Sequence, residues 1–264
     1  MVVLISGVSG GLGSVLAKYL TQQGMRVYGT SRNPEKGLEG VRLLPMDISD
    51  SQSIGNCINS ILEKEGRIDA VINCVNKLLI GAVSETPMAD FQSIYETNVM
   101  GAYDLSRQLL PVFKKQGKGL IVNMSSAGGI LSIPYMSAYT SSKFALEAWS
   151  EALYHELRDT EIDVVIFQPV AMHMDRPATG QHLDLSSQVE QDSKSHLMVD
   201  MMASDTEKST LSPEYVSQKI HEILIKKGKR PLRVRLGRSK SLSMLKRIAP
   251  QWLLDKMLKQ LLPV

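Results

Sequence analysis

Tyr139 and Lys143 stand four residues apart in the stretch SAYTSSKFALEAW, and together they could transfer a proton. The apolar spacing predicts a helix over 137–159, and residues i and i+4 share one face of a helix. A phenol ionises near pH ~10 in water, and a neighbouring ammonium lowers that pKa. The pair is therefore a candidate proton donor, whereas the alternative for the pair alone is a solvated helix face.

A glycine-rich segment near the start of the chain could hold a phosphate. The segment SGVSGGLG covers residues 6–13, between a strand predicted over 2–6 and a helix predicted over 13–24. Glycines at 7, 11 and 13 would allow a tight turn, close approach of the backbone to a pyrophosphate and close packing of helix on strand. The helix N-terminus would offer N–H groups and the positive end of its dipole. A surface turn is the alternative, but the strand–turn–helix context favours a dinucleotide site.

Strand-like and helix-like segments alternate along the chain and must position these groups. Such alternation predicts a parallel sheet with helices on both faces. We expect an α/β fold of the Rossmann type, doubly wound around a mainly seven-stranded parallel sheet, in a single domain over 1–264. Residues 170–211 have no clear period and are expected to form a substrate loop or lid. Strands are predicted over 2–6, 26–30, 41–45, 69–73, 119–125, 162–169 and 231–237, and helices over 13–24, 50–66, about 88–115, 137–159 and 212–228.

The composition is typical of a globular protein from a reducing compartment. Hydrophobic residues make up 43% and charged residues 22% of the chain, and two cysteines cannot build a disulfide framework. No apolar run approaches the ~20 residues that span a bilayer, and the first residues lack the pattern of a signal peptide. We therefore expect a cytoplasmic protein. The five histidines show no metal-ligand spacing, so no metal site is expected.

The C-terminal segment carries most of the positive charge. Residues 226–264 contain twelve Lys/Arg and one acid, Asp255, in a chain whose net charge is +3. We expect 237–264 to form a basic amphipathic extension that either folds back over the cleft or a subunit interface, or makes peripheral membrane contact through 240–264. Nucleic-acid binding is not expected, because Trp252 is the only aromatic residue of 240–264. The predicted apolar stripe comprises Leu253, Leu254, Met257, Leu258, Leu261 and Leu262.

Several motifs together resemble the short-chain dehydrogenase/reductase family over residues 1–236. The glycine segment is similar to the family's TGxxxGxG, with Ser6 in place of Thr, and YTSSK matches YxxxK. The segment PMDISD carries the Asp that follows the third strand, TNVMG carries the helix Asn, and Ser126 precedes Tyr139 by the commonest family interval, thirteen residues. The pattern is closest to 17β-hydroxysteroid dehydrogenase or retinol dehydrogenase-like members, and such relatives are homodimers or homotetramers.

The resemblance implies a role for each motif residue. Tyr139 would be the general acid, Lys143 would lower the Tyr139 pKa and hold the nicotinamide ribose, and Ser126 rather than Ser125 would polarise the carbonyl. Asn98 would hold a water that connects Lys143 to solvent. Asp47 would meet the adenine. The implied cofactor-binding residues are Ser6, Gly7, Ser9, Gly11, Leu12, Gly13, Ser31, Arg32, Asp47, Ile48, Asn73, Tyr139, Lys143 and Pro169.

The end of the second predicted strand favours NADP(H) over NAD(H). Preference for NAD normally needs a carboxylate there, which binds the ribose hydroxyls. Ser31 occupies the expected acidic position and Arg32 follows, so a 2′-phosphate would meet a guanidinium instead of a carboxylate. The alternative is that Arg32 is only a solvated turn residue.

Two segments depart from the family pattern. NCVN at 73–76 replaces the family's NNAG, so that Cys74, Val75 and Asn76 stand where the last three motif residues are expected. Val170 follows Pro169 in place of the usual Gly. Cofactor contacts from both segments are therefore less well determined by the sequence than those from the glycine segment.

Apolar residues near the expected substrate rim favour a lipophilic substrate. They are the segments 78–80 and 133–136 together with Met172, Met174, Met198, Met201 and Met202. We therefore predict an NADP(H)-dependent oxidoreductase that interconverts a carbonyl and an alcohol. A non-catalytic nucleotide-binding regulator or scaffold is the first alternative, and an epimerase or dehydratase that uses the same tyrosine is the second.

Overall fold

The computed structural model describes residues 1–34, 37–173 and 183–261, and within them a parallel sheet lies between two layers of helices. Seven strands form the main sheet in the order β3-β2-β1-β4-β6-β7-β9, and β5 pairs with β8 in a separate two-stranded sheet. The strands are β1 Val2–Ser6, β2 Arg26–Ser31, β3 Arg42–Pro45, β4 Ala70–Asn73, β5 Leu78–Ile80, β6 Gly119–Met124, β7 Ile162–Gln168, β8 Leu183–Leu185 and β9 Arg233–Arg235.

Nine α-helices connect or follow these strands in the described ranges. Asp50 caps α2 by accepting a hydrogen bond from the Gln52 N–H at 2.9 Å, and Ser212 caps α7, whose first residue is Pro213. The helices are α1 Gly11–Gln22, α2 Ser51–Glu65, α3 Met88–Tyr95, α4 Ala102–Gln116, α5 Ser137–Glu156, α6 Ser195–Glu207, α7 Pro213–Ile225, α8 Ser239–Ile248 and α9 Gln251–Leu261.

Burial on both faces explains why the central strands are continuously apolar. Every residue of β1 is buried, as expected for a parallel strand covered on both sides. Successive side chains of a strand point to opposite faces. Val3 and Ile5 accordingly pack in one core with α1 and α7, whereas Val2 and Leu4 pack in the other core with α2 and α4.

The strand order creates a crevice at the carboxyl ends of β1 and β4. The strands that follow β1 add first on one side, to β3, and then on the other, from β4 to β9. At such a switch point the connecting segments diverge, and ligands bind in the gap between them. The glycine segment after β1 and the segment after β4 both begin at this crevice.

The predicted fold class is confirmed, and the differences lie in irregular segments. The helix predicted over about 88–115 is α3, a π-helical turn at Glu96–Gly101 and then α4. The aperiodic stretch 170–211 contains β8 and α6, while 174–182, including Met174, lie outside the described residues. The C-terminal extension forms two helices separated at Pro250. No helix in the described part of the chain is long and apolar enough to cross a membrane.

Candidate active site

The turn after β1 depends on backbone hydrogen bonds and on glycines at positions where a side chain would not fit. Gly7 has a φ of +76°, and its N–H donates to the Thr30 carbonyl at 3.1 Å. A Cβ at Gly7 would lie 2.8 Å from Val75 Cγ2, and a Cβ at Gly13 would lie 2.0 Å from the Gly7 oxygen. Contacts this short leave room only for glycine at both positions, as the 1-5-7 spacing predicts.

The outer side of the same turn is open and fits a phosphate. A Cβ added at Gly10 or Gly11 would meet no atom within 4 Å, and Gly11 has a φ of +55°. No side chain caps the first turn of α1, and that turn contains no acidic residue. Its N–H groups and the positive end of the helix dipole are therefore available to an anion. Ser9 is exposed beside this space, whereas Leu12 is buried beneath it in the core.

Ser6 holds the glycine turn against the segment that follows β4. Its buried hydroxyl oxygen accepts hydrogen bonds from the backbone N–H of Cys74 at 3.0 Å and of Val75 at 3.3 Å. The usual Thr of the motif could offer the same oxygen. Ser6 therefore fixes the width of the crevice.

The predicted adenosine side of the crevice lies at the ends of β2 and β3. Ser31 ends β2 and Arg32 is exposed after it. The Asp47 carboxylate accepts from the Ser49 N–H at 2.9 Å and from the Ser49 hydroxyl at 2.6 Å. These hydrogen bonds, with a smaller contribution from the charge of Arg32, lower the pKa of Asp47. The Ile48 carbonyl packs closely against Gly101, since a Cβ at Gly101 would lie only 2.5 Å from the Ile48 oxygen.

Asn73 lies at the end of β4, and its side chain faces the core instead of the crevice. Its amide nitrogen donates to Ser106 Oγ at 3.0 Å and to Asn123 Oδ1 at 2.7 Å. Asn123 in turn donates to Ser150 Oγ at 2.8 Å. This buried row ties β4, β6, α4 and α5 together, while Asn73 Oδ1 has no hydrogen-bond partner. Any cofactor contact by Asn73 would come from its backbone.

Tyr139 lies in the first turn of α5, and only 6% of its surface is exposed. Burial raises the pKa of its phenol, while hydrogen bonds with Ser126 and Asn76 act in the opposite direction. Ser126 is also held by the Gly128 N–H, which donates to its hydroxyl at 3.2 Å. The hydroxyl of neighbouring Ser125 is buried without a partner. The geometry therefore pairs Tyr139 with Ser126, the serine that the thirteen-residue interval selects.

Lys143 is buried one turn after Tyr139, but it does not lower the Tyr139 pKa in this arrangement. Its ammonium donates to the Met124 carbonyl at 2.9 Å and lies 5.8 Å from the centre of the Tyr139 ring. Burial lowers the pKa of Lys143 to about 8, against smaller opposite effects of Cys74 and Glu147. The predicted lowering of the Tyr139 pKa is thus replaced by a raised pKa, because burial disfavours the phenolate. Tyr139 consequently keeps its proton at neutral pH.

A network of buried and partly buried polar side chains lies next to Lys143. Glu147, one helical turn after Lys143, accepts from Gln168 Nε2 at 2.9 Å and from Arg233 Nε at 2.9 Å. Arg233 also donates to Glu151 at 2.8 Å. These hydrogen bonds connect α5 to β7 and β9 and so keep Lys143, which lies on α5, in its buried position.

Asn98 lies in the π-helical turn and fixes the segment opposite Tyr139. Its Oδ1 accepts from the Lys77 N–H at 2.8 Å, and its amide donates to the Lys77 carbonyl at 2.8 Å and to Ser142 Oγ at 3.1 Å. Both amide hydrogens are therefore engaged by protein. These contacts position the Lys77 backbone, and the predicted water-holding role of Asn98 stays a prediction. π-Helical turns are frequent at functional sites.

Asn76 and Cys74 are site residues whose roles the motif comparison missed. Asn76 is held between two anchored neighbours, Val75 and Lys77, and reaches the hydroxyl of Tyr139. Cys74 lies close enough to Lys143 for their charges to interact, and burial raises the pKa of its thiol to about 12. The departure NCVN from NNAG was the only sequence signal for either residue.

The end of β7 closes the site next to Ser126. The Pro169 carbonyl accepts from the Ala127 N–H at 2.9 Å and so holds the loop that carries Ser126. Val170, in the place of the expected Gly, packs on Gly237, where a Cβ would lie 2.7 Å from Val170 Cγ2. Pro169 therefore lies next to the loop that carries Ser126, and its contact with the cofactor stays a prediction.

An apolar cluster surrounds Tyr139 on the side away from α1. The predicted rim segments 78–80 and 133–136 meet there with α6, whereas Met172 packs in the core around β1. Tyr135 has a φ of +60°, rare for a residue with a side chain, and its carbonyl accepts from the Gly81 N–H at 2.7 Å. The apolar cluster comprises Ile80, Met136, Tyr139 and Met198, with Leu78, Ile133, Tyr135, Leu185, Val199, Met201 and Met202 partly buried against it.

Polar contacts fix α6 and β8 over this cluster. Ser195 at the start of α6 donates to Glu85 at 2.8 Å, and Ser186 after β8 donates to Asp90 at 2.9 Å. Across the described ranges, no group of three His, Cys, Asp or Glu side chains could hold a metal ion. The site therefore combines a phosphate-sized opening, a buried protonated phenol and an apolar wall rich in methionine.

Comparisons with known proteins identify relatives of this chain. The family model for short chain dehydrogenase matches residues 1–180. A 3-ketodihydrosphingosine reductase from Bacteroides thetaiotaomicron is 31% identical over 263 residues, which is 100% of this chain and 97% of that protein. Oxidoreductase BOA17 from Botryotinia fuckeliana is 30% identical over 244 residues, covering 88% of this chain and 87% of that protein.

Solved structures share the fold over nearly the whole chain. A short-chain dehydrogenase from Streptomyces avermitilis superposes with a TM-score of 0.81 and 26% identity, covering 98% of this chain and 94% of that one. A short chain dehydrogenase/reductase from Burkholderia phymatum, solved in complex with NAD, gives a TM-score of 0.80 at 21% identity, covering 97% of this chain and 94% of that one. Because the Burkholderia phymatum protein is only 21% identical, its likeness to this chain concerns the fold alone.

Proposed function

Because the chain belongs to the short-chain dehydrogenase family and is an oxidoreductase of that family, we propose that it reduces a ketone on a long alkyl chain to the secondary alcohol, with NADPH as the cofactor. The observation that carries this proposal is the place of Tyr139. A protonated phenol, paired with Ser126, forms part of an apolar cluster and lies next to a crevice that fits a dinucleotide.

The chain's own residues would bind and protonate the substrate. Ser126 would donate a hydrogen bond to the carbonyl oxygen and so stabilise the negative charge that develops there. Tyr139 would give its proton to the same oxygen, and its raised pKa keeps that proton in place until then. NADPH, when bound, supplies the hydride. Lys143 would offer an ammonium to the ribose. The side chain of Asn98 would position the Lys77 backbone, and Asn98 would also hold the water that connects Lys143 to solvent.

We propose that the cofactor binds along the crevice from the glycine turn to Tyr139. Gly7, Gly11 and Gly13 would admit the pyrophosphate to the start of α1, and Asp47 and Ile48 would border the adenine. Arg32, exposed after Ser31, would bind the 2′-phosphate of NADP. Replacing Arg32 with Ser is expected to raise KM for NADPH about 30-fold, as loss of a charge-assisted hydrogen bond predicts, and to leave KM for NADH nearly unchanged. An equal effect on both cofactors would overturn the assignment of Arg32.

The apolar cluster and the full-length relative support a lipid-like substrate. Met136, Met198, Met201 and Met202 can adapt their shapes to an irregular alkyl chain. The relative from Bacteroides thetaiotaomicron that spans this chain is a 3-ketodihydrosphingosine reductase. We therefore propose 3-ketodihydrosphingosine, or a ketone with a comparable alkyl chain, as the first substrate to test. The closer likeness to 17β-hydroxysteroid or retinol dehydrogenases stays a prediction.

The proposal is tested by following NADPH oxidation with purified protein. The substrates would be 3-ketodihydrosphingosine, a steroid ketone, retinal and a short ketone such as acetone, with NADH as the second cofactor. The expected result is turnover with NADPH that is fastest for the long-chain ketone. Nucleotide binding with no turnover of any carbonyl would favour the regulator or scaffold alternative.

We propose that the chain also self-associates, as a homodimer or homotetramer. Met100, Tyr103 and Phe144 expose apolar side chains on the π-helical turn, α4 and α5. Exposed apolar groups that lie on neighbouring helices are typical of subunit contacts. Sedimentation velocity of the wild type and of Tyr103→Ser would test this. The variant is expected to have a lower sedimentation coefficient, and an unchanged coefficient would count against the assigned contact.

A further inference from the structure

We propose that the outer face of α8 and α9 binds the surface of an anionic lipid bilayer. This outer face is defined by Met244, Ile248 and Trp252 together with the exposed basic residues around them. The inference concerns a docking surface and does not require the proposed reaction to be correct.

Two residues of the predicted apolar stripe of α9, Leu254 and Leu258, face the protein. Leu254 is buried, with 4% of its surface exposed. Leu258 lines a groove of about 630 Å³ that is also bordered by Ile133, Pro134 and Phe144. The side chain of Leu261 and the whole of Leu262 lie outside what the structure describes. The stripe therefore holds α9 on the body of the protein, and a different row of residues faces outward.

That outward row consists of three large apolar side chains. Met244, Ile248 and Trp252 are exposed over 64%, 70% and 67% of their surfaces. Met244 and Ile248 are four residues apart and share one face of α8, and Trp252 lies in the first turn of α9, after the break at Pro250. Large apolar side chains that are this exposed and lie close together along the chain favour a binding surface. Trp is the residue type that favours the interface of a membrane with water.

The charge of this face identifies a lipid surface as the partner. Asp255, the only acid between Lys226 and Val264, accepts a hydrogen bond from Gln251 at 2.8 Å. Lys or Arg near an anionic bilayer contributes about 1 kcal/mol of attraction per residue. A second copy of the chain is disfavoured, because a symmetric contact through this face would bring like charges together. The exposed basic residues are Lys240, Lys246, Arg247, Lys256 and Lys259.

The outer face is joined to the helix that covers the apolar cluster. Arg238, immediately before α8, lies 3.2 Å from the carboxylate of Asp205 on α6. α6 also carries Met198, Met201 and Met202. Both groups of this ion pair are exposed, so that its contribution to stability is small, but it marks how near the two helices are. Docking on a bilayer would place the wall of the candidate substrate site close to the lipid.

The test is cosedimentation of the full-length protein with vesicles. One set is phosphatidylcholine alone, and the other is equal parts phosphatidylcholine and phosphatidylglycerol. The wild type is expected to bind the anionic vesicles, to bind the neutral ones much more weakly, and to lose binding as salt is raised. The triple variant M244S/I248S/W252S is expected to bind at least about tenfold more weakly, since it removes the apolar anchor.

A matched control and a second readout separate docking from misfolding. The variant V83S/M88S removes two equally exposed apolar side chains outside the tail, 77% and 66% exposed, and is expected to bind like the wild type. In a Trp149→Phe background, Trp252 is the only tryptophan, and its emission should shift to shorter wavelength on anionic vesicles. Equal binding of the triple variant and the wild type, or no shift of Trp252, would overturn the proposal.

A role in self-association would give a different pattern. If the outer face bound a second copy, the triple variant would become lighter in sedimentation velocity while the wild type ignored vesicles. That result would also overturn the lipid assignment. Because vesicle binding is measured without substrate, its failure is distinguishable from failure of the proposed ketone reduction.

Discussion

The glycine turn and the apolar cluster that contains Tyr139 are built in opposite ways. The turn uses one continuous segment, 6–13, and works through backbone groups and absent side chains. The cluster gathers side chains from β5, the 133–136 loop, β8 and α6, which are far apart in the sequence. Under the proposed function, the turn would recognise a cofactor phosphate through its backbone N–H groups, whereas the cluster would recognise the substrate through its side chains. The following experiments test that difference.

The largest effect is expected at Lys143, which lies between the two regions. We expect Lys143→Met to lower kcat/KM about 10³-fold, because it removes the ammonium beside the reacting groups. The same variant should be more stable at pH 7 by about 2 kcal/mol. It no longer has the cost of burying an ammonium, and this gain is reduced because the Met124 carbonyl loses its hydrogen-bond donor. Urea unfolding at several pH values would measure this difference.

The pH dependence of that stability difference has a defined sign. Lys143 has a pKa of about 8 in the folded chain and 10.5 as its ordinary value. Between these values the unfolded chain binds more protons than the folded chain, so that wild-type stability rises with pH relative to the variant. The advantage of Lys143→Met should therefore be full below pH 8 and lost as pH approaches 10.5. An exposed control, Lys118→Met, should show no such trend; a constant difference for Lys143→Met would contradict its assigned burial as an ammonium.

Within the glycine turn, two alanine substitutions should separate folding from nucleotide binding. Gly13→Ala puts a Cβ 2.0 Å from the Gly7 oxygen, and we expect it to destabilise the fold by about 3 kcal/mol. Gly10→Ala meets no protein atom within 4 Å, so that it should leave the apoprotein's stability unchanged while weakening NADPH binding. Denaturant unfolding and nucleotide titration would measure both. Normal NADPH affinity in Gly10→Ala would argue against a phosphate in that open space.

In the apolar cluster, the test is how activity depends on alkyl length. Each methylene that becomes buried contributes about 0.8 kcal/mol, so that kcat/KM should rise about fourfold per added carbon until the site is filled. Met202→Gln, which replaces an apolar side chain by a polar one of similar length, should reduce this slope and lower kcat/KM about tenfold for the longest ketone. Met88→Gln, at an exposed position on α3, serves as the control. An unchanged slope in Met202→Gln would remove α6 from the substrate site.

The smallest effect is expected at Asn76. Hydrogen bonds from Ser126 and Asn76 lower the pKa of Tyr139 against the larger effect of burial. Asn76→Ala should raise that pKa further and make Tyr139 a weaker acid, so that kcat falls several-fold and the alkaline limb of the pH–rate profile moves to higher pH. Asn56→Ala, exposed on α2, should leave the profile unchanged. A shift to lower pH in Asn76→Ala would contradict the contact.

The sequence was sufficient for the features that depend on local pattern. The β1–turn–α1 unit could be predicted because strand, glycines and helix are contiguous, and YxxxK because residues i and i+4 share a helix face. The pairing of β5 with β8 was missed, since three-residue strands carry no period and their pairing is not local. The raised pKa of Tyr139 was also missed, because burial depends on the packed fold.

Two further details required the three-dimensional structure. The Asn98 amide bonds the Lys77 backbone, a partner from another segment that the sequence did not indicate. The C-terminal stripe was correctly predicted as apolar and helical in α9, yet only the fold shows that it faces inward and that Met244, Ile248 and Trp252 face outward. A periodic pattern identifies the faces of a helix without saying which face the protein covers.

The most direct test of the account is transfer of label from NADPH deuterated at C4 of the nicotinamide to 3-ketodihydrosphingosine. With deuterium at both C4 positions, mass spectrometry of the product should find a secondary alcohol with one deuterium on the former carbonyl carbon. Tyr139→Phe should form it about 10³-fold more slowly, as loss of a general acid predicts, while Tyr135→Phe on the same rim should form it at close to the wild-type rate. An unlabelled product, or equal rates for Tyr139→Phe and the wild type, would contradict the proposed reaction and the role of Tyr139.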